Sequence, residues 1–459
     1  MPPTFDSIPL RPELHEAIAH VGFEELTPIQ AAALPPMLQG LDVTGQASTG
    51  SGKTAAFGLA LLQSLDLDQA GTQALVLCPT RELADQVAAE LRSLAQRITN
   101  TRILSLCGGH PLQSQRKDLA RGGHIVVGTP GRIGKLISGG HLDLSALRIL
   151  VLDEADRMLD MGFIGEVEAI VERCPTKRQT LLFSATFPDA IEGLSARVQH
   201  QPQRVVVQAQ VAPDLLRQLV YRCEPGERNQ LLVDLLAHHR PQQALVFCET
   251  RGDCDRLAAF FSGRGATALA LHGLLEQRDR DEVLLQFTNG SASLLVATNV
   301  AARGLDIPSL PMVLIAELSP EPESHLHRIG RTGRAGEAGL AISVVSAPNE
   351  LGRLERIEAF LGHSIPRGGE IHGGGGLGFL TPPNRTLLIL SGRQDKLRRG
   401  DVLGALVKDA GLPPEAIGRM DLTARTCAVA VAREHATQAL AYLKQGRIKK
   451  RKVRARLLG

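Results

Sequence analysis

Apolar residues in this chain gather in short uninterrupted runs, and most runs stop at a polar turn followed by a segment of helical period. Such runs cover residues 74–77 before Cys78-Pro79-Thr80-Arg81, 125–127 before Gly128-Thr129, and 149–152 before Asp153. Others are 181–183 before Ser184 and 294–296 before Ala297-Thr298. A strand apolar on both sides predicts a parallel sheet with helices on both faces, and the polar residues at the strand ends stand where such sheets place ligands. Residues 74–81 (ALVLCPTR) and 244–251 (ALVFCETR) agree at six of eight positions. Their offset of 170 residues is the size of a domain, which predicts tandem α/β domains and no solenoid. From residue 385 the pattern changes to strand (386–390), helix (401–410), strand (417–422), strand (426–431), helix (434–443) and strand (453–458).

The polar stretch 208–214 (QAQVAPD) separates the two similar regions, and residues 367–384, with Gly373-Gly374-Gly375-Gly376 and Pro382-Pro383, predict a flexible tether. The expected domains are therefore 1–207, 214–365 and 384–459, with a linker at 366–383.

At 459 residues, 43% hydrophobic and 22% charged, the composition excludes disorder along the whole chain. No apolar run approaches the length of a membrane span, and residues 1–10 lack the character of a signal peptide, so a cytoplasmic protein without membrane partners is expected. Seven cysteines are scattered with no C-x-x-C pair, which predicts buried thiols and neither a disulfide framework nor a zinc site. The net charge of +3 conceals an asymmetry. Residues 384–459 carry 17 Lys+Arg against 6 Asp+Glu, or +11, and the rest carries −8. The C-terminal region is accordingly a candidate polyanion binder.

The sharpest chemistry lies at residues 47–54, ASTGSGKT, a phosphate loop with Ala47 in the first glycine position. Ser48, Thr49, Gly50, Ser51 and Gly52 offer backbone N–H groups to phosphate oxygens, Lys53 adds a cation, and the Thr54 hydroxyl suits Mg²⁺. The helix-forming residues that follow place the phosphates at a helix N-terminus. Asp153, at the end of an apolar strand, suits the same Mg²⁺, and Glu154 beside it suits orienting or deprotonating a water.

Together with Gly22-Phe23-Glu24-Glu25-Leu26-Thr27-Pro28-Ile29-Gln30, Pro79-Thr80-Arg81-Glu82-Leu83, Thr129-Pro130-Gly131-Arg132, Ser184-Ala185-Thr186 and His327-Arg328-Ile329-Gly330-Arg331-Thr332-Gly333-Arg334, the Asp153-Glu154-Ala155-Asp156 quartet makes residues 5–365 resemble the DEAD-box ATP-dependent RNA helicases. The resemblance implies two tandem RecA-like domains that use ATP and Mg²⁺. It implies that Phe5 stacks on adenine, that Gln30, with Thr27, reads the adenine edge, and that Asp306 contacts the ribose. Arg331 and Arg334 would stabilise charge on the γ-phosphate when the domains close, and His327 would link the domains or the γ-phosphate region through Ser184-Ala185-Thr186, with an ordinary packed histidine as the competing reading. RNA contacts would fall to Arg81, Gly109, Thr129, Arg132, Gln277, Arg280 and Thr298, chiefly at phosphates and 2′-hydroxyls. Asn299 and His325 depart from the Asp and Tyr common at those positions.

The βαββαβ order of the last region is that of a small α+β RRM-like domain. Its third strand, 426–431, lacks the aromatic residues that stack bases, so recognition on the sheet face is not expected. Residues 399–406, 446–449 and 453–458 resemble the RNA-binding domain of DbpA-type bacterial helicases, which implies RNA contacts from Arg399, Arg447 and Lys449. It also implies large-subunit ribosomal RNA and pre-ribosomal particles as partners, with no obligate protein partner. Two other readings stay open at this point: an RNA clamp whose ATPase sets dwell time, and a DNA-directed P-loop ATPase.

Overall fold

The computed structural model describes residues 3–47, 50–207, 215–302, 310–333, 337–371, 375–449 and 451–459. Its first sheet contains β1 (Val43–Gln46), β2 (Ala74–Leu77), β3 (Ile103–Leu106), β4 (Ile125–Gly128), β5 (Ile149–Asp153), β6 (Gln179–Ser184) and β7 (Gln203–Val206). All are parallel, in the order β3-β4-β2-β5-β6-β1-β7. Alternate residues enter opposite cores: Val76, Val127 and Val151 face one side, Leu75, Leu77 and Leu152 the other. Burial on both faces is why these strands read as unbroken apolar runs.

The second sheet holds β8 (Leu216–Arg222), β9 (Ala244–Cys248), β10 (Ala268–Leu271), β11 (Leu294–Thr298), β12 (Met312–Ile315) and β13 (Gly339–Val345), again all parallel, in the order β10-β11-β9-β12-β13-β8. β9 has the same place in this order that β2 has in the first sheet, so the repeated octapeptide marks equivalent strands. The third sheet is antiparallel: β14 (Asn384–Ile389), β15 (Ile417–Leu422), β16 (Cys427–Ala432) and β17 (Ala455–Leu458), ordered β15-β16-β14-β17. Helix Arg399–Gly404, its continuation Ala405–Asp409 and helix Arg433–Gln445 cover the face that carries Leu387, Ile389, Val429 and Val431.

The described residues form two compact units, one ending at residue 207 and one beginning at residue 215. The third sheet belongs to the second unit. The flexible tether expected at 367–384 is corrected here for its described residues. Gly368 N donates to Val220 O at 2.9 Å, Leu377 N to Arg264 O at 2.8 Å, and Thr267 N to Leu380 O at 3.1 Å. Leu377 and Leu380 are fully buried in the core of the second sheet. Glycine and proline remove local preference for helix or strand, but the apolar surface of these leucines is enough to dock the segment. Residues 372–374 lie outside the described residues, as do 208–214. No described helix is long and apolar enough to cross a membrane, and six of the seven cysteines are buried, with Cys223 half-buried.

Candidate active site

The order β5-β6-β1 sets three strand ends side by side. Gln46 is level with Ser184, and Asp153 with Phe183. The phosphate loop, the acidic quartet and Ser184-Ala185-Thr186 therefore leave one edge of the sheet as neighbours.

Gly50 and Gly52 have φ values of +82° and +92°. At Gly52 a Cβ would lie 2.6 Å from Gln30 Nε2 and 2.9 Å from Thr27 Oγ1, so only glycine fits. Gln30, buried, accepts from Thr27 N through Oε1 at 2.9 Å and donates through Nε2 to Gly52 O at 3.2 Å. The adenine-reading candidate is thus in direct contact with the loop meant for the phosphates. Lys53 opens the helix Lys53–Gln63 and donates from Nζ to Ala47 O at 2.7 Å, bridging the loop's two ends. Thr54 follows it, partly exposed. Phe5 is buried and stacks on Phe23, with centroids 6.1 Å apart and planes 18° apart. The two aromatics of the N-terminal motif are therefore partners, and Phe5 is part of the first core.

Asp153 is 2% exposed and its Oδ1 has no hydrogen-bond partner. Burial pushes its carboxyl up to about 7, against the opposing pull of Lys53. A buried carboxylate oxygen with nothing to accept from is suited to a cation, so this site fits Mg²⁺, with Asp153 and Thr54 as the residues that would hold it. Glu154 has φ +54°, in the left-handed region, and is buried in an ion pair with Arg157, itself 2% exposed. Asp156 Oδ2 accepts from Thr186 N and Oγ1, both at 3.1 Å, and Asp156 N donates to Ser184 Oγ at 3.2 Å. This ties the acidic quartet to Ser184-Ala185-Thr186. The sequence reading did not single out Arg157; its position three residues after Glu154, just inside a helix, was the available signal.

A second group lies along the same strand-end side. Arg81 begins the helix Arg81–Leu94, capped by Thr80, and its guanidinium lies over Gly108, where a Cβ would come within 3.2 Å of Nη2. Gly109 turns the chain at φ +80°. Thr129 stands at the N-terminal end of the helix Pro130–Ser138 without a side-chain capping bond, and Arg132 Nη1 donates to His110 O at 3.1 Å and Gln115 Oε1 at 2.5 Å. Gln115, also missed from sequence, is buried and donates to Cys107 O at 2.9 Å, which anchors Arg132 to the turn holding Gly109.

In the second unit Thr298 ends β11, Arg280 Nη2 donates to Ala301 O at 2.8 Å, and Gln277 Nε2 to Asp281 Oδ1 at 2.7 Å. Arg331 is 2% exposed and its backbone O accepts from Leu310 N. Arg328 is buried, ion-paired with Glu249 and donating to Glu317 O at 2.7 Å. His325, one of the departures, is buried 3.4 Å from Gln218 Oε1, and burial beside Arg328 lowers its pKa to about 3. Ser48, Thr49, Asp306 and Arg334 lie outside the described residues.

Two tandem parallel sheets with a phosphate loop and an acidic quartet on neighbouring strand ends define a nucleotide-driven motor of the helicase class. Residues 27–194 match the DEAD/DEAH box helicase family, residues 227–336 the helicase conserved C-terminal domain, and residues 386–457 the DbpA RNA binding domain. The chain is 48% identical over 449 residues to the ATP-dependent RNA helicase DbpA of Escherichia coli, covering 95% of each. It is 44% identical over 356 residues to the DEAD-box ATP-dependent RNA helicase CshA of Geobacillus kaustophilus, covering 77% of this chain and 76% of the relative. Among solved structures, S. cerevisiae Dbp5 bound to RNA and ADP BeF3 superposes with a TM-score of 0.74 at 31% identity, over 80% of this chain and 95% of that one. The chain belongs to the DEAD-box ATP-dependent RNA helicases. Within them it is of the DbpA type, two RecA-like parallel-sheet domains followed by a small RNA-binding domain.

Proposed function

We propose that this helicase locally separates duplexes in large-subunit ribosomal RNA during ribosome assembly in the cytoplasm, with its C-terminal domain choosing the RNA. The observation that carries the targeting is the convergence of cations at one end of the third sheet. The turns after β14, between β15 and β16, and before β17 meet there: Gly392 abuts Ala424, Arg393 N donates to Thr423 O at 3.0 Å, and Arg451 Nη1 to Asp395 O at 3.2 Å. Arg393, Arg399, Arg425 and Arg454 are exposed in these turns or next to them. Lys449 pairs with Asp401 at 2.9 Å, and Arg447 stands exposed two residues before it. Clustered guanidinium groups suit the phosphates of a folded hairpin.

In the core, Lys53 and the N–H groups of residues 48–52 hold the ATP phosphates, Thr27 and Gln30 select adenine, and Phe5 lines that side. Thr54 and Asp153 would hold Mg²⁺, which would supply charge neutralisation at the phosphates. Glu154 handles the attacking water, Arg331 and Arg334 serve the γ-phosphate, and Asp306 serves the ribose. Arg81, Gly109, Thr129, Arg132, Gln277, Arg280 and Thr298 track the RNA backbone.

The test is RNA-stimulated ATP hydrolysis and strand displacement with a panel of ribosomal RNA fragments against unrelated RNA of equal length, at rising salt. At least one large-subunit fragment should retain its advantage as salt weakens the others. Equal stimulation by every RNA would reduce the domain to a nonspecific basic anchor.

A further inference from the structure

In β14, β16 and β17 alternate residues face opposite ways. Leu387, Ile389, Val429 and Val431 pack under the two helices of the small domain, while Thr386, Leu388, Ala428 and Leu458 face the other side. That second face is buried too: Thr386 is fully buried, Ala428 is 2% exposed and Leu458 is 4% exposed. The helix Gln277–Thr288 of the second helicase domain covers it.

Leu285 packs on Leu388, Ala428 and Leu458. The Asn289 amide donates to the Thr386 hydroxyl at 2.9 Å, both groups buried. Glu282 pairs with Arg456, and Arg419 Nη1 reaches Thr288 O at 3.4 Å. Glu282, Leu285 and Asn289 stand three and four residues apart, one stripe of the helix and the turn that continues it. The same helix begins with Gln277 and Arg280, assigned above to the RNA backbone. The missing aromatics of β16 gain a physical reason: alanine at 428 lets a helix approach where an aromatic ring would stand out from the sheet.

We propose that this second face of the third sheet is an intramolecular docking surface for the helix Gln277–Thr288, which holds the RNA-selecting domain at one orientation to the second helicase domain. The proposal builds on the targeting function given above and replaces a loose tether with a fixed mount. RNA is then left to the basic turns at the end of the sheet, and a bound hairpin presents its neighbouring duplex at a defined distance from the second helicase domain.

Single-molecule energy transfer on the full chain tests this, with dyes at Phe360→Cys in the second domain and Leu403→Cys in the third, both exposed positions, in a Cys223→Ser background. A single narrow distance population is expected, and it should stay narrow when large-subunit ribosomal RNA fragments are added. Glu282→Arg with Asn289→Ala should broaden it, and adding Arg456→Glu, which restores an ion pair with reversed polarity, should narrow it again. A broad population in the unaltered protein, a Glu282→Arg/Asn289→Ala variant as narrow as the unaltered protein, or broadening on addition of RNA would each overturn the proposal. ATPase stimulated by poly(A) is followed in parallel and should be equal in all variants. Loss of RNA stimulation in the unaltered protein would strike the function and leave the docking result standing.

Discussion

At the residue scale, the acidic quartet works under a constraint visible only in three dimensions. Glu154 and Arg157 form an ion pair with side chains 5% and 2% exposed, so removing the cation strands a buried carboxylate. Arg157→Leu should destabilise the first unit by about 3–5 kcal/mol, read as a lower midpoint of its thermal transition. Glu154→Gln should lower ATP hydrolysis by orders of magnitude while ATP-dependent RNA binding persists, measured by single-turnover hydrolysis and fluorescence anisotropy. Near-normal turnover would remove Glu154 from its role. Gly52→Ala combines a positive φ with a Cβ placed 2.6 Å from Gln30 Nε2. Backbone strain of about 1–3 kcal/mol and displacement of Gln30 should weaken ATP binding strongly. Its selectivity for ATP over GTP should fall as well, which titration with labelled nucleotides reads directly.

At the element scale, helix Pro322–Ile329 carries His325 into the core against β8. In the folded chain its pKa is lowered to about 3 by burial and by Arg328, whereas the unfolded chain takes up the proton near the usual histidine value of about 6.5. Between those limits the unfolded state binds more protons, so stability falls as pH drops. Acid titration of the second unit's thermal transition should show this loss beginning near pH 6.5, and His325→Tyr, which cannot protonate, should flatten the profile. An unchanged slope would show that another group governs it. The duplicated strands β2 and β9 were legible because each is wholly apolar and runs into a turn whose threonine, Thr80 or Thr250, caps the next helix. β1, β7, β10 and β12 were not named from sequence: Thr44, Gln46, Gln203 and Arg204 interrupt the apolar residues of β1 and β7, and β10 and β12 are not followed by such a capped turn.

At the scale of the molecule, the segment after residue 367 decides where the helicase core can be cut. Leu377 and Leu380 are fully buried in the second domain, and each contributes about 1.5–3 kcal/mol by burial. Truncation after Thr381 should keep basal ATPase and a cooperative thermal transition of the second helicase domain while abolishing preference among RNAs. Truncation after Ile371 should place that transition markedly lower, as calorimetry would record. Equal stability of the two truncations would show that these leucines are dispensable.

The phosphate loop, the acidic quartet, the tandem α/β plan and the basic C-terminal domain were all determined by the sequence alone. Each depends on local chemistry: glycines where the backbone must turn, carboxylates at strand ends, and apolar runs whose length matches a buried strand. What only the tertiary structure decided were the relations between residues distant along the chain. These include Gln30 against Gly52, Gln115 holding Arg132, the leucines of the linker entering the second core, and the third sheet lying on the Gln277–Thr288 helix. Such contacts depend on the shape of two surfaces formed separately, and a pattern of residue types along one strand or helix does not contain the surface it will meet.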